Sequence, residues 1–178
     1  MLLVGVSPPF VFHQKEALED AVELLMSNPE AAAQQYGDVN AWDVSRVTDM
    51  GYMFYQASAF NQALNAWDVS SVTDMDAMFS DATAFNQALN AWDVSRVTDM
   101  EHMFKYASAF NQAMVDWDVG SVTSRQQMFR DSAITQCDFG LMKSALRLSG
   151  VPSEWVGLCP TGPTPIGRHT IGSSGGTP

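Results

Sequence analysis

Over 178 residues the chain carries 20 acidic against 9 basic side chains, a formal net charge of −11, with 46% hydrophobic content. That length supports one ordinary domain, and the acidic balance excludes a nucleic-acid backbone or an anionic membrane as the natural partner, because neither attracts an acidic surface. No apolar run approaches the roughly 18 residues that a membrane span needs.

The opening MLLVGVSPPFVF has no basic n-region and its apolar run stops at Pro8-Pro9, so it is not read as a signal peptide. Phe10 to Phe12 reads as a short strand. Apolar residues at Ala17, Leu18, Ala21, Val22, Leu25 and Met26 fall at helical spacing, predicting a helix from Gln14 to Met26. Ser27-Asn28-Pro29 stops it, and Glu30 to Tyr36 predicts a second, shorter helix before Gly37. Residues 1–37 are therefore expected to form a helical cap over the end of a repeat core.

The repeat itself begins after Gly37. Phe60–Ala84 and Phe85–Ala109 are identical at 19 of 25 positions, and Trp42, Trp67, Trp92 and Trp117 mark a period of 25. Self-similarity at fixed spacing is the signature of stacked units. Within one copy, Leu64, Trp67, Val69 and Val72 have the spacing of a leucine-rich-repeat strand. Met75, Met78, Phe79 and Ala82 then advance at helical spacing, with Thr73 placed to cap that helix and Asp49, Asp74 and Asp99 in its first turn. The expected fold is an α/β, leucine-rich-repeat-like right-handed solenoid of about four rungs over residues 38–134, with short parallel strands on one face and short helices on the other. Columns of Trp, Val, Met and Phe should fill its core, and Asn61, Asn86 and Asn111 should form an interior ladder satisfying loop carbonyls. Residues 135–159, carrying Cys137 and Cys159, are expected to form a C-terminal cap, and the Gly/Pro/Ser/Thr-rich 160–178 a disordered tail. The two cysteines are either buried thiols or a disulfide.

If Trp67 and Val69 face inward, Asp43, Asp68, Asp93 and Asp118 form a row on the open strand face, about 4.8 Å apart. Ser45, Ser70 and Ser95 lie beside them, and Arg46 and Arg96 offer compensating charge. Each Asp either closes an Asx-type turn, contacts a ligand, or shares a cation such as calcium with its neighbour, for which Asp68 and Asp93 are the candidates. No DxDxDG-type loop is present, and identical carboxylates give no distinction between acid and nucleophile. Three scattered histidines offer no zinc spacing, His102 reads as a solvent-facing filler, and no phosphate loop or nucleophile elbow occurs. Catalysis has no positive support, and no cofactor is expected beyond the optional calcium; the expected role is non-enzymatic recognition through the open strand face, with a cation-binding repeat and a structural spacer as the alternatives.

FNQ, WDVS, VTDM and the paired MF, recurring from Trp42 to Phe129, resemble the BspA-like surface-protein repeat, over about two thirds of the chain. The resemblance implies a leucine-rich-repeat-like coil in a cell-surface or secreted protein, acting in adhesion or in binding a protein or glycan. It names neither the partner nor the oligomeric state.

Overall fold

The computed structural model describes residues 9–112, 114 and 116–134. Helix α1 spans Lys15–Ser27 and α2 spans Pro29–Tyr36. Asn28 separates them: its backbone closes α1 onto Leu24, and its side chain accepts from Ala31 N–H to start α2, with Pro29 at the first helical position. α1 buries Leu18, Ala21, Val22 and Leu25. Phe10–Phe12 contributes a single parallel bridge to the first rung, in which Phe12 N–H donates to Asp43 C=O and Asp43 N–H to Phe10 C=O. Phe10, Phe12, Tyr36 and Trp42 pack ring on ring behind it, at centroid separations from 4.8 to 5.7 Å.

Copies of the repeat succeed one another as rungs over residues 38–59, 60–84, 85–109 and 110–134, and they stack at a register of 25, with bridges Asp49–Asp74, Asp74–Asp99 and Asp99–Ser124. The expected α/β architecture is not what builds them. Among the described residues the rungs contain no strand and no α-helix, only the 3-10 turn Val39–Ala41. The strand-and-helix reading of a leucine-rich-repeat-like coil is thus overturned.

Turns replace both elements, and the hydrogen bonds show how. Leu64 and Trp67, read as strand positions, are the two ends of a turn closed by Trp67 N–H to Leu64 C=O at 3.0 Å; Val69 and Val72 close another at 2.9 Å. In the stretch read as helical, N–H groups alternate between two destinations. Those of Met78, Ser80 and Ala82 go back three residues, to Met75, Ala77 and Phe79. Those of Met75, Ala77, Phe79 and Asp81 go instead to the carbonyls of Asp99, Glu101, Met103 and Lys105 in the next rung, at 2.8–2.9 Å. An α-helix would send each to the residue four back; here half of them hold the stack together. The overlapping turns need φ > 0 once every four residues, at Tyr52, Gln56, Ala77, Asp81, His102, Tyr106, Gln127 and Asp131. None is glycine, so each costs about 1–2 kcal/mol that the ladder bonds must offset.

The columns do form. Trp42, Trp67, Trp92 and Trp117 are each 1–3% exposed. Phe54, Phe79, Phe104 and Phe129 stack nearly parallel at 5.3–5.6 Å, with Phe60, Phe85 and Phe110 in a second column 3.9–4.3 Å from the first. Buried indole N–H groups require acceptors. Those of Trp67, Trp92 and Trp117 donate to Val39, Leu64 and Leu89 C=O of the preceding rung at 2.7–2.9 Å. The Asn column is a ladder too, but of another kind. Asn61 is exposed and Asn86 half-buried, and their side-chain oxygens accept the N–H of Asn86 and Asn111 rather than serving carbonyls. The threonines expected as helix caps form a further ladder: Thr73, Thr98 and Thr123 each donate both N–H and O–H to the carbonyl of the preceding Thr. The expected C-terminal cap and tail, with Cys137 and Cys159, lie outside the described residues.

Candidate functional site

The acid row behaves as a set of turn closures. Asp43 Oδ1 accepts from Ser45 N–H at 3.0 Å and Ser45 O–H at 2.6 Å; Asp68 holds Ser70 in the same way at 3.1 and 2.6 Å. Asp93 accepts from Ser95 N–H, and Asp118 from Gly120 N–H, each at 3.0 Å. The serine hydroxyl and then its amide hold the carboxyls of Asp43 and Asp93 below the usual range. No salt bridge among the described residues joins Arg46 or Arg96 to the row; Arg46 Nη1 instead lies 3.1 Å from His13 Nδ1. Nor do the described residues contain a group of three or more His, Cys, Asp or Glu side chains placed to hold a metal ion. Each of these four carboxylates closes a turn of its own, and among the described residues none lies on a strand.

A second acidic column, assigned in the sequence to helix starts, does stack. Asp49, Asp74 and Asp99 bridge successive rungs, and their Oδ1 atoms accept from Gly51, Asp76 and Glu101 N–H at 2.8–2.9 Å. Burial, with Asp49 and Asp99 on either side, pushes the Asp74 carboxyl up against the opposing bond from Asp76 N–H. Lys15 of α1 sits on Asp49 at 2.8 Å. A Cβ added at Gly51 would come within 3.3 Å of the carboxylates of both Asp49 and Asp74, a tight contact; the other rungs carry Asp76, Glu101 and Gln126 at this position.

Beyond this column the positive-φ turns expose a face that differs in every rung. Reading down the stack, one position is Tyr52, Ala77, His102, Gln127; another Tyr55, Ser80, Lys105, Arg130; a third Gln56, Asp81, Tyr106, Asp131. Tyr52 and Tyr55 are 54% and 45% exposed and meet edge to face at 5.6 Å. Hydrogen bonding to Asp76, with its negative charge, pushes the Tyr52 phenol up. His102 is half-buried rather than a solvent-facing filler: its Nδ1 lies 3.6 Å from Asp76 Oδ1 and 3.7 Å from Glu101 Oε1. Asp76 Oδ1 is buried and takes no hydrogen bond. Toward the fourth rung, Tyr106 has Lys105 Nζ 5.2 Å and Arg130 6.0 Å from its ring centre.

The signal for this face lies in the sequence. The two best copies differ at only six positions, 71/96, 76/101, 77/102, 80/105, 81/106 and 83/108, and all but the first fall on this segment or its exit. The positions between them, Met75, Met78 and Phe79 with their equivalents, are buried and repeat unchanged through three rungs.

Residues 24–140 match the family model described as "Mycoplasma protein of unknown function, DUF285". The chain belongs to that family. No curated protein and no solved structure gives a match. The DUF285 match covers α2 and the stacked rungs, so membership attaches to the repeat architecture itself. No helix of the described residues is long and apolar enough to cross a membrane.

Proposed function

We propose that this DUF285 chain is a non-enzymatic recognition module of a cell-surface or secreted protein, and that it binds a protein or glycan through the variable turn face. The observation that carries the reading is the separation of constancy from variation. Buried columns and ladder positions repeat, while the outward positions of the positive-φ turns change from rung to rung. Exposed tyrosines favour the recognition reading, because they give large contact area at small entropic cost. The likeness of FNQ, WDVS and VTDM to BspA-like surface repeats supports the setting. On this reading the Asp43, Asp68, Asp93 and Asp118 row serves the turns, and recognition lies one segment further along each rung.

The test replaces the aromatic rings, His102 and Lys105 of the first and third rungs with their second-rung counterparts, Tyr52→Ala, Tyr55→Ser, His102→Ala, Lys105→Ser and Tyr106→Asp together. Each change copies a residue that another rung already holds at that position. Capture of surface extract by the immobilised chain is expected to fall to background while the melting temperature moves by a few degrees at most. Unchanged capture by this variant overturns the reading.

A further inference from the structure

The variable face is polarised, and its two ends treat aromatic rings differently. At the far end, Tyr106 has cations of its own chain beside it, Lys105 and Arg130. At the near end, Tyr52 and Tyr55 are the more exposed rings, and among the described residues no cation lies over either. The second rung beside them carries the small side chains Ala77 and Ser80, 3% and 4% exposed, in the positions of those tyrosines. Charge there is negative: Asp74 and Asp76 stand beside Asp99 and Glu101, with Lys15 already engaged on Asp49. Gln56 Nε2 donates to Tyr55 Oη at 3.0 Å, and Tyr52 N–H donates to Asp76 C=O at 2.8 Å, which sets the Tyr52 ring beside the acidic column. What stays open is ring surface next to carboxylate, which suits a cation.

Resting on the turn face as the recognition surface, we propose that Tyr52 and Tyr55, backed by Asp74 and Asp76, receive an arginine or lysine side chain from a basic segment of a partner protein. The pairing repeats in trans what Tyr106 makes in cis with Lys105 and Arg130. The chain's net charge of −11 draws such a segment from a distance, and the ring pair fixes where it lands.

Calorimetry on the full chain tests this, using an acetylated and amidated Arg-Gly-Arg-Gly-Arg peptide and, in a separate arm, cellotetraose. The peptide is expected to bind at low salt, more weakly as salt rises, and roughly tenfold more weakly to a Tyr52→Ala/Tyr55→Ser variant. Both substitutions copy the second rung, and neither changes the charge, so the loss reports on the rings rather than on general acidity. No heat from the peptide, or heat that the double variant leaves unchanged, overturns the proposal. Cellotetraose heat that the same variant abolishes overturns the basic partner but keeps the face. Peptide binding lost only on Asp43→Ala/Asp68→Ala/Asp93→Ala removes both.

Discussion

Asp74 and Asp68 show how the same residue type, 6 positions apart in one rung, does different work. Asp68 is exposed and spends its carboxylate on Ser70. Asp74 is half-buried between two other aspartates of its column. Its raised pKa means that the folded state disfavours the ionised form, so the cost is present above the folded pKa and is relieved as pH falls toward the unfolded value of about 3.9. Asp74→Asn keeps an oxygen for Asp76 N–H and removes the charge. Urea unfolding is expected to show this variant more stable than the parent at pH 7, with the difference shrinking as pH falls through the raised pKa and gone below about pH 3.9. A variant less stable at pH 7 would contradict that account. Sequence alone places the acid in this column but credits it to a helix dipole that the fold does not contain.

Among the elements, the buried residues were legible and the backbone was not. Spacings of three between Leu64 and Trp67, Val69 and Val72, and Met75 and Met78 are real, and each pair closes a turn. Apolar residues three apart arise equally from a helix face and from successive turns, so periodicity cannot choose between them. What decides is where the other half of the N–H groups goes, and that depends on a neighbouring rung. Helices α1 and α2 were readable because they bond within themselves, and Asn28-Pro29 punctuates them. The variable face was not legible from repetition, because repetition marks the core and the ladders, whereas the face is marked by the positions that do not repeat. Gln56→Gly separates the alternatives by sign. In an exposed helix the change would cost about 1 kcal/mol. With Gln56 at φ 59° it should instead raise stability, by up to about 1 kcal/mol, as left-handed strain is relieved against a modest entropic loss. Chemical denaturation reads the sign directly.

Across the whole molecule the rungs divide their tasks by segment. Indole N–H groups, Asn side chains and Thr ladders stitch one rung to the next where a strand ladder was expected. The turn ribbon then carries the backbone ladder and, outward, the side chains that vary. On the proposed reading, stability and recognition fall on different columns, so one can change without the other. The measurement that tests this most directly is melting and surface-extract capture on the Asp43→Ala/Asp68→Ala/Asp93→Ala variant. Each lost turn closure is worth about 1 kcal/mol, so the melting temperature should drop by roughly 6–12 °C, with capture at the parent level at temperatures where the variant is folded. Capture lost with the melting temperature unmoved would return recognition to the acid row and contradict the account.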